Sequence, residues 1–303
     1  MKWFKLRFAL LHKGGLPLQQ LSFTNANGDT VAFDNAAPYV FWKISGLEPP
    51  PLSVIKTQAP GQHGYSLEDL LLESRVVKLS GHVHARPDGL ALLYNLRRRL
   101  AAVCNPLLGP GTLTYANDAG AYTTPAFCQS AAYGARLKSL QSLDITFECP
   151  GAFWLSAQQS VTLAYIHGTL RFPVWTPQPM GLYGYRAVAQ NAGDVPAPLE
   201  FFIDGGSVNP VITNVTTGEF IKLARHVEPW NSLYINTDTL EVSLISIDPA
   251  TNQPVRANAY GYLSLDSALF KLAPGRNVLA FESDDKSKDI SVVIKYANRY
   301  VAV

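Results

Sequence analysis

The sequence predicts a mainly β chain of two domains with a single helix. Three observations carry that expectation. Apolar and polar residues alternate along most of the chain, with turn residues between the runs. Only one stretch shows three-to-four spacing of apolar residues. And 303 residues is about twice a common domain length.

In chain order, Leu21 and Phe23 alternate with polar residues, Asn27-Gly28 supplies a tight hairpin turn, and Val31 and Phe33 resume the alternation. Tyr39 to Ile44 is a strand by its aromatic and β-branched content. It runs into Ser45-Gly46-Leu47-Glu48-Pro49-Pro50-Pro51-Leu52, where three prolines remove ladder donors and favour an extended path. Residues 56–74 lack periodicity and hold Pro60-Gly61 and Gly64, so they read as an exposed loop, unusually long for a compact domain unless it is used. Arg75 to Ala85 alternates again, with Val77, Leu79 and Gly81 on one face.

The helix spans Leu90 to Val103, with Leu90, Leu93, Leu96 or Arg97, Leu100 and Val103 at three-to-four spacing. Asp88 is the expected N-cap and Asn105-Pro106 the stop. Arg97, Arg98 and Arg99 are consecutive, so they splay around the helix and cannot all meet one ligand. A solvated or subunit-contacting face is the preferred reading over a phosphate or DNA contact. A second hairpin turns at Asn117-Asp118-Ala119-Gly120, and a long strand from Leu137 to Glu148 ends at Cys149-Pro150-Gly151-Ala152-Phe153-Trp154.

The first domain is therefore 1–155. Residues 156–189, with Pro173, Pro177 and Pro179, read as a linker or irregular excursion, and 190–303 as a helix-free β-sandwich. Its expected strands are Leu199–Asp204, Val211–Val215, Phe220–Leu223, Ser232–Ile235, Leu240–Ile247, Gly261–Leu263, Asn277–Glu282 and Ile290–Tyr296. Gly205-Gly206, Thr217-Gly218, Asn236 to Thr239, Pro249 to Pro254 and Pro274-Gly275 supply turns between them.

Composition excludes several classes. Charged residues make up 16% and hydrophobic ones 47%, which fits neither a disordered chain nor a coiled coil. No apolar run approaches the roughly 20 residues of a membrane helix. The basic start, Met1 to Lys13, has no continuous apolar core, so no secretory leader is expected. The net charge is +2, with 14 basic against 10 acidic residues up to Leu155 and 11 against 13 beyond it. That asymmetry is too mild to argue for nucleic acid by charge alone. Cys104, Cys128 and Cys149, odd in number and without a C-x-x-C pair, point to buried thiols in a reducing cytoplasm, not to a disulfide framework or zinc site.

No catalytic, cofactor or metal set emerges. P-loop, dinucleotide and H-E-x-x-H signatures are absent. Gly205-Gly206-Ser207-Val208-Asn209 lacks the last glycine of a nucleophile elbow and lies between β-strands. His82 and His84 share a strand face but no third ligand has suggestive spacing. Asp144, Glu148, Asp204 and Glu219 are candidate carboxylates for a glycosidase pair without any spacing that joins two of them, and Asp284-Asp285 reads as a solvated turn. Trp42, Trp154 and Trp175 could stack on sugars, although core packing and subunit contact are the preferred roles. Asn214-Val215-Thr216 matches a glycosylation acceptor.

Several phrases together resemble the siphophage distal tail protein family. In the first half these are Ile44 to Pro51, the Arg75–Gly81 strand, the single helix, and the approach to Cys149–Trp154. In the second half they are Asn209-Pro210-Val211-Ile212-Thr213-Asn214-Val215-Thr216-Thr217-Gly218, Tyr234-Ile235-Asn236-Thr237, and Phe270-Lys271-Leu272-Ala273-Pro274-Gly275-Arg276-Asn277. The resemblance implies a tail-tube-like β-sandwich or split barrel with one helix, followed by a galectin-like β-sandwich. It implies a structural, non-enzymatic protein of the virion tail tip, assembled in the bacterial host cytoplasm. Such a protein forms a homohexameric ring between the tail-tube protein above and hub, fibre or receptor-binding proteins below, with a channel for DNA, and needs no cofactor. The 56–74 segment is then an arm toward an adjacent subunit. The alternatives are a carbohydrate-binding adhesin and a tail-associated cell-wall hydrolase.

Overall fold

The computed structural model describes residues 19–85, 89–166, 184–248, 251–285 and 290–303. The expected N-cap Asp88, the basic start Met1–Lys13, Trp175, Pro173, Pro177 and Pro179 lie outside these residues. The chain divides into two units: Met1–Ser156 with Val301–Val303, and Ala157–Tyr300. Among the described residues, no helix is long and apolar enough to cross a membrane.

The first unit is built on nine strands: β1 (Gln20–Thr24), β2 (Thr30–Phe33), β3 (Tyr39–Ser45), β4 (Leu52–Thr57), β5 (Ser66–Leu72), β6 (Arg75–His84), β7 (Gly111–Asn117), β8 (Gly120–Leu137) and β9 (Leu140–Cys149). Helix α1 (Gly89–Val103) follows β6. Seven strands hydrogen-bond in the order β2-β1-β7-β8-β9-β6-β3. The outer members β2 and β3 are joined only by the isolated bridge Asp34–Val40, so the sheet curls without closing into a barrel. Strict alternation puts Val77, Leu79 and Val83 of β6 and Leu143, Ile145 and Phe147 of β9 on the buried side. Helix α1 covers them with Leu93, Leu96, Leu100 and Val103, each worth about 1.5–3 kcal/mol on burial. The stripe starts one turn later than expected, because Leu90 is exposed. The Tyr39 hydroxyl donates to the Leu96 carbonyl at 2.7 Å and ties β3 to the helix.

Two expectations for this unit change. Residues 56–74 are not a loop: β4 and β5 pair with each other alone, as an exposed hairpin. The sequence hides this because none of its residues is pulled into a core that would impose alternation. The long strand ending at Glu148 begins at Leu140, since Leu137 closes β8 and Lys138 takes a positive φ of 54° in the turn.

The second unit is a β-sandwich. Its strands are β11 (Gln159–Ile166), β12 (Gly184–Asn191), β13 (Leu199–Asp204), β14 (Ser207–Val208), β15 (Val211–Asn214), β16 (Phe220–Lys222), β17 (His226–Val227), β18 (Ser232–Asn236), β19 (Glu241–Ile247), β20 (Pro254–Asn258), β21 (Gly275–Glu282) and β22 (Ser291–Tyr296), after a two-residue β10 (Trp154–Leu155) that closes the first unit's strands. One layer runs β16-β15-β21-β12 and the other β22-β13-β18-β19-β20. Strand β11 belongs to both: Gln159–Leu163 pair with β22, and Ala164–Ile166 pair with β12. Leu199, Phe201, Ile203, Ile212, Leu279, Phe281, Val292 and Ile294 fill the space between the layers.

Here the expected linker is corrected, since β11 and the first six residues of β12 fall in 156–189. Gly261–Leu263 is not a strand: Tyr260–Tyr262 form a 3-10 turn. Strands β14, β17 and β20 lie outside the expected set, two of them only two residues long and the third exposed throughout. The end of the chain, Val301–Val303, returns to the first unit.

Candidate functional site

The β4–β5 hairpin is the most exposed apolar element among the described residues. Cross-strand partners share a face, and β4 alternates regularly against Leu72, Leu70 and Leu67 on one side and Leu71, Asp69 and Ser66 on the other. Glu68 is the extra residue of a β-bulge opposite Ile55 and Lys56. The bulge keeps Leu67 in step with Leu70. One face therefore carries Leu52, Val54, Leu67, Leu70 and Leu72 with Lys56 at its end, while the other carries Ser53, Thr57, Ser66 and Asp69 beside Ile55 and Leu71. Leu52, Val54, Leu67 and Leu70 are 40–55% exposed. A two-stranded hairpin is marginal alone in water, and this one leaves its apolar face uncovered.

The root of this arm is fixed by a buried cation. Arg75, 1% exposed at the start of β6, donates through one terminal nitrogen to the Gly46 (2.7 Å) and Glu48 (2.5 Å) carbonyls. The other donates to the Ala152 (3.0 Å) and Val301 (2.5 Å) carbonyls. Its guanidinium lies 5.5 Å from the ring of fully buried Trp154. Gly46 has φ +91°, and a Cβ there would run into the Val76 carbonyl, so only glycine fits. Hydrogen bonds from the backbone, including Gly46 N–H at 2.9 Å, hold the Glu48 carboxyl below the usual range.

A second surface lies at the other end of β6. The Arg97 guanidinium sits 4.5 Å from the Tyr133 ring and 5.9 Å from Tyr94, and Arg136 donates to the Tyr94 hydroxyl at 2.8 Å. Arg98, Arg99, Arg136 and Lys138 are exposed. The three consecutive arginines do splay: Arg99 turns to the Thr30 carbonyl at 3.4 Å while Arg97 faces Tyr133.

The other residues singled out from the sequence scatter. His82 and His84 face the same side at 6.2 Å between rings, and Trp42, the bulged residue of β3, stacks on His82 at 5.5 Å. Burial, then the neighbouring His84, hold His82 below its ordinary pKa. No group of three metal-ligating side chains occurs among the described residues. Asp144 bonds Ser80 and Glu148 bonds Gln129, four residues and about 13 Å apart along β9. Asp204 and Glu219 belong to the other unit, Glu219 bonded to Thr217. Ser207 is fully buried in β14, with no base beside its hydroxyl. Asn214 is also buried, its amide donating to Asn277 at 3.2 Å and its oxygen accepting from Thr216 N–H, which removes it as a glycan acceptor. All three thiols are free and buried. Hydrogen bonding to Cys128 and burial raise the Cys104 pKa, and burial pushes Cys149 up to about 12.

Fold and surfaces together define a two-unit β protein with an exposed apolar hairpin and a basic helix surface. Residues 192–300 match the model of the siphovirus-type tail component, C-terminal domain. The resemblance to siphophage distal tail proteins read from the sequence thus holds, and so does the mainly β fold with one helix. The Dit protein of phage SPP1, described as a paradigm of the hub adsorption apparatus in phages infecting Gram-positive bacteria, shares the fold. Its TM-score is 0.62 at 11% identity, over 93% of this chain and 99% of that one. A chain of the phage P2 baseplate, in its activated conformation with calcium, gives 0.53 at 14% identity over 95% and 100%. The strontium form of that baseplate gives 0.50 at 14% over 93% and 98%. No curated protein sequence matches the chain.

Proposed function

We propose that the chain is a structural hub protein of a siphophage tail. Six copies form a ring that joins the distal end of the tail tube to the tip or baseplate, around a channel through which DNA passes without sequence-specific contact. The tail-tube protein lies above the ring and hub, fibre or receptor-binding proteins lie below it. The place of action is the distal tip of the virion tail, after assembly in the host cytoplasm, and the chain has no catalytic task. The observation that carries this reading is a tail-component domain at 192–300 within a fold likeness that spans nearly all of this chain and of the SPP1 hub protein. The uncovered arm supports it, because a permanent assembly is where such an apolar face becomes buried.

The test is mass photometry and electron microscopy of the full chain, with labelled particles for location. Hexameric rings and label at the tail tip are expected. Leu67→Asp with Leu70→Asp is expected to reduce the hexamer at least tenfold while leaving the melting temperature unchanged, since both side chains are exposed. Label on the head or along the tube overturns the reading.

A further inference from the structure

We propose that the basic side of helix α1 is the seat on which the β4–β5 arm of a second copy docks, an inference that rests on the ring reading and names its contact. Residues 89–105 and 133–139 contain Arg97, Arg98, Arg99, Arg136 and Lys138 and no carboxylate. None of the five forms an ion pair among the described residues, where the ion pairs are His226–Glu228, Arg256–Glu241 and Arg299–Asp238. Tyr94 and Tyr133 hold the Arg97 and Arg136 planes in place without neutralising them. Between them lies a shallow cleft of about 350 Å³ lined by Tyr94, Arg97, Arg98, Ala101 and Tyr133. Exposed Leu90, Tyr94 and Leu137 give the same surface an apolar part.

The arm is its complement in net charge and in apolar surface. It carries three exposed carboxylates, Glu68, Asp69 and Glu73, against the single lysine Lys56, with Lys56 on the leucine face and Asp69 on the opposite one. Its own helix is out of reach. Asp69 is four residues from the root at Glu73, about 13 Å of extended chain. Arg136 pairs with Gln141, which pairs with Val83, eight residues along β6 from Arg75, about 26 Å. The carboxylates therefore meet the arginines of another copy. Two different surfaces that match head to tail generate a closed ring when the rotation per copy permits it.

Charge reversal in the full chain tests this. Arg98→Glu with Arg136→Glu, and separately Glu68→Lys with Asp69→Lys, are each expected to weaken assembly at least tenfold with unchanged melting temperature. Combining all four is expected to restore assembly to within about threefold of the parent. Assembly of the parent is expected to weaken as salt rises from roughly 0.05 to 0.5 M. A ring that forms equally well in either reversed variant, or a quadruple variant no better than the doubles, overturns the proposal while leaving the ring intact. So does a reversed helix that keeps the ring but loses retention on duplex DNA. A parent chain that never assembles, alone or on tail tubes, overturns the ring reading itself.

Discussion

The two units treat charge differently. In the second, two arginines form ion pairs with carboxylates: Arg256 meets Glu241 at 3.2 Å and Arg299 meets Asp238 at 2.9 Å. Lys295 and Arg225 lie over Phe202 and Tyr262. In the first, Arg97 and Arg136 have tyrosines for company and no carboxylates among the described residues, and the buried cation Arg75 gives its two terminal nitrogens to four carbonyls. Their buried nodes differ in kind as well. The first unit uses a guanidinium across four carbonyls. The second uses neutral amides: Asn277 donates to the Ala273 and Gly275 carbonyls and accepts from Asn214, and Asn191 donates to those of Val195 and Leu272. The first unit thus concentrates its buried polar contacts on one charged side chain, whereas the second spreads them over neutral ones.

The comparison is tested hardest at the buried nodes. Arg75→Met leaves four carbonyls without a donor, and a loss of about 3–5 kcal/mol is expected in the first unit, read as an early transition in urea unfolding of the full chain. A loss below 1 kcal/mol would mean that water replaces the guanidinium and that the charged node is not special. Asn277→Ala is expected to cost the second unit less, about 1–3 kcal/mol, because its amide serves two carbonyls where the Arg75 guanidinium serves four. The smallest effect concerns His82. Its pKa in the folded chain lies below the ordinary 6.5, so the folded form binds fewer protons than the unfolded one. The stability it contributes is present above pH 6.5 and lost as the pH falls through the lower folded value. His82→Gln is expected to flatten the melting temperature of the first unit between about pH 7 and about pH 5, and an unchanged slope would locate the acid sensitivity elsewhere.

Much of this was legible because the telling phrases in the sequence are the polar nodes themselves. Gly46 and Glu48 supply carbonyls to Arg75, Thr237 accepts from the Leu199 N–H, and Asn214 and Asn277 bond each other. Each such residue needs one side-chain type at one backbone position, which leaves a recognisable string. The arm was not legible as a hairpin, because Ser66-Leu67-Glu68-Asp69-Leu70-Leu71-Leu72 shows no alternation. The bulge at Glu68 and the exposure of both faces remove the period that burial imposes elsewhere. The basic seat was visible as three arginines, but Arg136 and Lys138 join them only through the β8–β9 turn, far away in sequence. The return of Val301 to Arg75 had no signal, since the acceptor is a backbone carbonyl that any residue offers.

The bulge in the arm has a colloidal consequence. A straight apolar ribbon with two open edges is a template on which strand adds to strand without limit, the start of a fibre. Glu68 interrupts the ladder midway along β5 and sets two adjacent carboxylates, Glu68 and Asp69, at the place where an incoming strand would pair. On the ring reading proposed above, the arm can thus stay adhesive toward one shaped and oppositely charged seat while remaining a poor surface for its own kind.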